Sequence, residues 1–431
     1  MTPLPPGFKR LAWSNLAAQS AEQVGLAAAP IVAVLAFGAG AGETGLLQTA
    51  QTLPFLLLAI PAGVLADRMS RRKLMAAAEA LRAVSLAAIL LLALFGGLSM
   101  ISLALLGFAG ACGTVAYSVV APALVPALVP PAALSRANAR IELARTVAFA
   151  AGPALAGALV GWTGAGPAFG LATALSVCAV FLLAGLAEPA RPAVLPRHPL
   201  REVQEGAAFV LSHPLLMPVF ATQVVFNTAF FMMQAMYVPY AIATLGLSAG
   251  EVGATLAALG AGMVTGALLA PRLAARLAFG TLIAVGPVAG FASALAMLLT
   301  VWIPSAWLAA FAFFLIGAGP VLWVISTGTL RQSVTPARLL GRVSAMFTLA
   351  QGSRPIGAAL GGVIGGIYGA EACLMAVAAV FLAQAVIILA SPAVQLAAQP
   401  EMAGTCVQLL NRLPSPASFA SSGAGFHKAP W

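Results

Sequence analysis

The chain has 431 residues, of which 61% are hydrophobic and only 7% charged, with a net charge of +10 and a mean hydropathy of +1.01. Soluble domains carry roughly a quarter charged residues, so a water-facing surface of normal size is excluded and lipid must cover most of the protein. Nucleic-acid binding is excluded as the meaning of the positive charge, because nearly all of it falls in short loops between apolar runs.

A hydrocarbon core about 30 Å thick requires about 20 apolar residues per helix. That ruler predicts twelve segments, near 11–37, 45–65, 74–95, 98–121, 139–161, 166–187, 215–244, 250–270, 280–303, 306–330, 341–367 and 372–392. The runs are too long and too continuously apolar for barrel strands, which leaves an all-α membrane protein. The start, "MTPLPPGFKR", leads into the first segment without a small-residue cleavage site, so that segment is expected to stay as a span.

With the N-terminus in the cytoplasm, the inward loops collect Arg68, Arg71, Arg72 and Lys73, then Arg136 and Arg140, Arg191, Arg197 and Arg201, Arg272 and Arg276, and Arg331, Arg338 and Arg342. The outward turns near 39–44, 95–99, 162–167, 245–250, 303–306 and 368–371 hold no Lys or Arg. This asymmetry predicts both termini in the cytoplasm and an inner-membrane location.

The first segment carries Glu22, twelve residues past Arg10 and therefore about 18 Å deep. Ionisable groups at that depth are costly and mark function. Glu22 is expected to be the proton-coupling group or a site for a cationic substrate; the alternative is a carboxyl held for structure by Gln19 or Gln23. Between the second and third segments lies "GVLADRMSRR", with Asp67 the sole aspartate of the chain. Glu79 and Arg82 in the third segment, and Glu142 and Arg145 in the fifth, are three apart, near the cytoplasmic ends. That spacing puts each pair on one helix face, where local neutralisation competes with a part in gating.

The fifth segment contains Gly152, Pro153 and Gly157, and the eleventh Pro355, Gly357, Gly361 and Gly365. Small residues four apart permit close helix approach and Pro permits a bend. The seventh segment aligns Asn227, Phe230, Gln234 and Tyr237 on one face, which suits a cavity wall for a bulky, partly apolar ligand or else aromatic packing with interhelical hydrogen bonds. Tyr117 and Trp323, in the fourth and tenth segments, are further lining candidates. Arg354 in the eleventh lies twelve past Arg342, at a depth like that of Glu22. Pairing with Glu22 and a packing or carbonyl-binding role are both open to it.

The chain repeats itself. A shift of 202 superposes Arg136 on Arg338, Arg140 on Arg342 and Pro153 on Pro355, and a shift of about 204 sets "ADRMSRR" against "APRLAAR". Two ordered echoes at matching places argue for a pair of six-helix halves. The expected organisation is an N-terminal bundle over 1–187, a cytoplasmic linker with a short amphipathic helix over 188–213, a C-terminal bundle over 214–392 and a disordered tail over 393–431. Cys112, Cys178 and Cys373 are spaced as packing residues, so neither a metal site nor a disulfide framework is expected.

The loop bearing Gly63, Asp67, Arg68, Arg71 and Arg72 resembles the signature of the major facilitator superfamily, with Ser70 where glycine is usual. "QTLPFLLLAIPAGVLADRMSRRKLM", "LSRANA", "GPALAG" and "TLRQSVTPARLLGRVSA" with "RPIGAALGG" extend the resemblance to the branch of drug, macrolide and siderophore exporters that includes the enterobactin exporter, over about residues 8–392. The resemblance implies alternating access, with the first, fourth, seventh and tenth helices around a central cavity. It implies further that Asp67 faces the N-terminal end of the eleventh helix as a cytoplasmic latch, where the helix dipole favours an anion; the plainer alternative is a loop obeying the positive-inside rule. "GPALAG" resembles an antiporter motif.

The expected function is export of an amphiphilic small molecule in exchange for protons, by a monomer in the lipid bilayer, with no cofactor and no nucleic-acid partner. An importer or uniporter on the same fold is the alternative. An enzyme, a receptor or an ATP-driven pump would need a catalytic cluster, a sizeable soluble domain or a Gly-Lys-Ser/Thr phosphate loop, and the chain shows none of these.

Overall fold

The computed structural model describes residues 5–130, 133–187, 199–336 and 338–400, with the side chains at 67, 122, 123, 135, 199 and 200 outside that description. Among the described residues there are thirteen α-helices: α1 (Pro6–Phe37), α2 (Ala41–Arg68), α3 (Arg71–Leu94), α4 (Met100–Leu128), α5 (Leu134–Thr163), α6 (Ala165–Ala184), α7 (Pro199–Ser212), α8 (Leu216–Ala243), α9 (Ala249–Ala274), α10 (Phe279–Leu299), α11 (Ala306–Val334), α12 (Leu340–Leu349) and α13 (Arg354–Leu389). No strand occurs among the described residues. Eleven stretches among the described residues are long and apolar enough to cross a membrane, and the last, 340–389, is 50 residues long. It reverses at Gly369, where φ is 86° and ψ 173°, a left-handed conformation that glycine adopts without a Cβ penalty. The two limbs on either side supply the eleventh and twelfth crossings, as the sequence pattern predicts.

The turns sort by end. Positive-φ glycines 38, 96, 164, 246 and 369 all fall in turns of the end without Lys or Arg, called here the neutral end. The opposite, basic end receives the arginine loops. There Ser70 stands in for the usual glycine by capping α3, its Oγ accepting from Lys73 N at 3.2 Å.

Packing differs between the two ends. At the neutral end one apolar core runs through both halves, joining Ile31, Leu47, Val160 and Phe169 to Tyr237, Val252, Phe313 and Phe381. At the basic end each half keeps a core of its own, Phe8, Leu11, Met75, Tyr117 and Leu183 in one and Val210, Leu216, Trp323, Val343 and Ile388 in the other. The neutral end is thus sealed across the halves. Two glycine seams close it. A Cβ on Gly45 of α2 would lie 2.3 Å from Gly362 Cα of α13, and one on Gly157 of α5 would lie 2.4 Å from Ala249 O of α9. Backbones that close need small residues, as in membrane helix pairs generally.

The eleventh crossing is broken. A 3₁₀ turn, Ala350–Ser353, separates α12 from α13, at a Gly352-Ser353 pair of the kind that weakens helices. Two carbonyls beside it are taken up by α8, Gln223 Nε2 donating to Phe347 O at 3.0 Å and Asn227 Nδ2 reaching Ala350 O at 3.5 Å, and Ser353 Oγ donates in return to Val224 O of α8 at 3.1 Å. The superposed segment of the first half, around Pro153, stays within the continuous helix α5.

Helix α7 forms within the stretch expected to link the halves and docks on α12: Gly206 lies against the Arg342 carbonyl, and Glu205 and Glu202 pair with the Arg342 guanidinium, Glu202 at 3.9 Å. Residues 188–198 and 401–431 lie outside the described residues. The expectation of a disordered tail from 393 is corrected at its start. Pro392–Gln395 forms a 3₁₀ turn, Leu396 O and Ala397 O accept from Gly280 N and Phe279 N, and Gln399 Nε2 donates to Ser333 Oγ at 3.0 Å. These bonds satisfy the open N-terminus of α10, which has no side-chain cap.

Candidate functional site

Glycines bring the helices of the first half close enough for their charges to meet. A Cβ on Gly113 of α4 would lie 2.2 Å from Ala78 O of α3, and one on Gly152 of α5 would lie 2.4 Å from the Gln23 Cβ of α1. Between these contacts Arg82 reaches four partners. Its Nη1 donates to Ala18 O at 2.8 Å and pairs with Glu79 Oε2 at 3.2 Å. Its Nη2 donates to Thr114 Oγ1 at 3.0 Å and stands 3.9 Å from Glu22 Oε2. Glu79 also accepts from the Ser176 hydroxyl of α6.

Glu79 and Arg82 do pair locally, but the expectation that they lie near the cytoplasmic end and serve only each other is corrected. They are buried inside the bundle and bind α1, α4 and α6, because Arg82 lies eleven residues into α3, about 16 Å from its start. Glu142 and Arg145 do form a local pair, at 2.5 Å with both side chains substantially exposed, and Arg145 lies over the Phe149 ring.

A cavity of about 100 Å³ opens beside this cluster. Its walls include Glu22 and Arg82, the α2 face of Gln48, Gln51, Thr52 and Phe55, Phe231 of α8 and Arg354 at the first residue of α13. Ala29, Ile89 and Phe169, which belong to the core of the neutral end, line it as well. The Arg354 guanidinium lies over two rings, 4.6 Å from the Phe55 centroid and 5.3 Å from that of Phe231. Among the described residues it forms no ion pair with Glu22, and its buried Nε has no hydrogen-bond partner. Glu22 and Arg354 share a cavity without contact.

The expected wall of the seventh helix is not found around this cavity. Tyr237 is buried in the second half, its hydroxyl 2.5 Å from Thr255 Oγ1 and its ring edge-on to Phe313 at 4.6 Å. Asn227 serves the broken eleventh crossing, Phe230 stacks on Phe226 at 5.8 Å, and Gln234 is half-buried outside the cavity wall. Tyr117 and Trp323 are core residues of the basic end, and Trp323 packs where a Cβ on Gly286 would come within 2.4 Å of it. The physical reason is that α8 spends its polar groups on its own bundle and turns Phe231 toward the cavity. The α2 stripe, at offsets 0, 3, 4 and 7, was the legible signal that the seventh-helix stripe obscured.

Packing residues fall where small side chains are needed. Gly152 meets α1, Gly157 meets α9, Gly253 meets the Pro153 carbonyl, and Gly357 and Gly361 lie on the Thr228 and Met232 carbonyls of α8. Pro355 occupies the first turn of α13, where its missing N–H costs nothing. In the signature loop, Gly63, Asp67 and Arg68 end α2 and Arg71 and Arg72 open α3, with Arg72 donating to Leu186 O at 3.1 Å. The Asp67 side chain, and with it the latch contact, lies outside the described residues.

Relatives and solved structures agree with this architecture. The chain is 29% identical over 314 residues to the enterobactin exporter EntS of Citrobacter koseri, a match covering 70% of this chain and 72% of the relative. It is 31% identical over 252 residues to the uncharacterized MFS-type transporter y4rN of Sinorhizobium fredii, covering 56% and 60%. Among solved structures it resembles a bacterial homologue of the iron transporter ferroportin in an inward-facing state, with a TM-score of 0.71 at 16% identity over 89% of this chain and 98% of that one. A POT family transporter in complex with 5-aminolevulinic acid gives 0.72 at 12% identity, over 90% and 97%. At such identities the structures speak for the fold alone. The sequence pattern of the transmembrane secretion effectors matches residues 13–411, so the chain belongs to that family of major facilitator transporters and is a multi-pass membrane transporter rather than an enzyme.

Proposed function

We propose that the protein exports an amphiphilic small molecule from the cytoplasm by alternating access, in exchange for protons, with Glu22 as the group that takes up and releases the proton. The positive-inside rule puts the basic end in the cytoplasm. The sealed neutral end then corresponds to the state that receives cargo from inside.

The observation that carries the proposal is the contrast between the two carboxylates of the cluster. Glu79 is fully buried, 3.2 Å from Arg82, and bonded to Ser176. Such a group is fixed by partners whose loss would strand a charge. Glu22 keeps 18% of its side-chain surface, stands 3.9 Å from Arg82 and lines the cavity. It is the carboxylate that a proton arriving through the cavity can reach. Export is supported by the likeness to proteins named as enterobactin exporters. A cavity of about 100 Å³ is below the ~300 Å³ and more typical of drug-sized sites, so here it admits a headgroup, with the apolar body toward the gap between the halves.

Reconstitution into liposomes with an imposed pH gradient tests this reading. Glu22→Gln is expected to reduce gradient-driven substrate movement by about a hundredfold or more, the scale on which a proton-transfer group matters, while substrate exchange without a gradient persists. Undiminished gradient-driven transport in Glu22→Gln would refute the assignment, and accumulation on the side opposite to that expected would make the protein an importer.

A further inference from the structure

We propose that Arg354 is the binding group for an anionic head on the transported molecule, so that the substrate class is an amphiphile carrying a carboxylate or a similar oxyanion. This rests on the reading of the cavity as the transport site. Four observations converge on it.

The first is an imbalance of partners. Arg82 has Ala18 O, Thr114, Glu79 and Glu22 around it, whereas among the described residues Arg354 has neither ion pair nor hydrogen bond; the Nε of each is buried without a partner. A guanidinium brought into a membrane protein at this cost, with no carboxylate in contact with it, has its donors open to an anion from outside the chain. The second is the orientation set by the rings. Phe55 and Phe231 each lie over the guanidinium, with centroids at 4.6 and 5.3 Å. Cation–π contact of this kind holds the group without offering its N–H donors an acceptor, which leaves them for a bidentate oxyanion.

The third is the broken helix. Arg354 is the first residue of α13, directly after the 3₁₀ turn Ala350–Ser353. The tightened turn sets the Arg354 side chain at the cavity wall, between Phe55 and Phe231. The fourth is charge bookkeeping over the whole pocket. Glu22, Glu79, Arg82 and Arg354 sum to zero when ionised, and both carboxylates lie nearest Arg82. The cluster is therefore neutral as a whole with its positive pole at Arg354. The phenyl rings beside it favour a ligand whose anion is attached to an apolar or aromatic body.

Binding of a matched probe series to the full-length protein in maltoside micelles tests the assignment by isothermal titration. 3-Phenylpropionate, 3-phenylpropan-1-ol and 3-phenylpropylamine share one skeleton and carry −1, 0 and +1 charge. The propionate is expected to bind about tenfold or more tighter than the alcohol, the scale of a hydrogen-bonded charge. Arg354→Gln should bring the two together while leaving the weaker alcohol binding in place, which also shows that the variant is folded, and Arg354→Lys should restore part of the preference. Absence of an anion preference in the parent protein, or its survival in Arg354→Gln, would overturn the proposal, as would tightest binding of the amine. A failed coupling experiment with Glu22 and a failed anion preference at Arg354 are separate results.

Discussion

Arg82→Gln should destabilise the protein by about 3–5 kcal/mol, the cost of leaving a buried charge without its partner. The prediction follows from geometry on both sides of the pair. Glu79 is fully buried, and apart from Arg82 its carboxylate has the Ser176 hydroxyl. Glutamine is too short and too weak to replace a guanidinium that also holds Ala18 O on α1 and Thr114 on α4. Three helices therefore lose a common tie at once. Thermal unfolding of the purified protein, followed by loss of monodispersity, measures the effect.

The double variant Arg82→Gln with Glu79→Gln separates charge from packing. Neutral partners of similar shape avoid the stranded carboxylate, so most of the lost stability should return. Arg82→Gln together with Glu22→Gln should not recover it, because Glu22 is partly exposed to the cavity and can be rehydrated where Glu79 cannot. If Arg82→Gln melts like the parent chain, the cluster does not hold the bundle together. If the Glu22 double is the one that recovers, the roles given to the two carboxylates are reversed.

The same cluster shows how far the sequence could be read. Twelve crossings, the neutral and basic ends and the reversal between the last two crossings were legible, because membrane thickness and loop charge act on composition alone. The depth of Glu22 was legible by counting from Arg10. Equal counting from Arg72 puts Arg82 about 15 Å deep, but an i, i+3 acid–base pair reads most simply as self-neutralising, and that reading hid its partners on three other helices. Convergence of residues 22, 79, 82 and 354 depends on helix rotation, which an all-round apolar sequence does not encode in its periodicity. The seventh-helix stripe failed for a related reason. Asn227 and Gln223 are polar because the neighbouring eleventh crossing breaks at Gly352-Ser353 and exposes carbonyls. Polarity in one helix was thus written by irregularity in another, whereas Gln48, Gln51, Thr52 and Phe55 on α2 do line the cavity. The glycines were legible as packing residues but not their distribution between contacts within a half and contacts across the halves.

That distribution leads to the second large effect. Gly157→Ala combined with Gly45→Ala is expected to stop transport while leaving both bundles folded. Each added methyl meets the opposite half rather than its own. At 157 it would lie 2.4 Å from Ala249 O and 2.7 Å from Gly253 Cα, and at 45 it would lie 2.3 Å from Gly362 Cα. Backbone atoms cannot turn aside as side chains can, so the two seams must part. Overpacking costs about 1–3 kcal/mol per site. Since 1.4 kcal/mol is tenfold in an equilibrium constant, two sites should depopulate the sealed neutral end by about thirtyfold to ten-thousandfold. An alternating-access carrier that cannot seal one end loses turnover even though each half keeps its own core at the basic end. Cysteines at 42 and 366, in a background with the native cysteines replaced, report the closure directly, because a Cβ on Gly366 lies 3.3 Å from Gly42 Cα. Their cross-linking should be efficient in the parent chain and fall with transport in the double variant. Gly161→Ala is the matched control: its methyl meets the Ala249 side chain at 3.5 Å, an ordinary contact. It should cross-link and transport like the parent. Normal transport in the Gly157→Ala, Gly45→Ala double would mean that the seams can widen without cost, and that the closure of the neutral end is carried by the apolar core on either side of them.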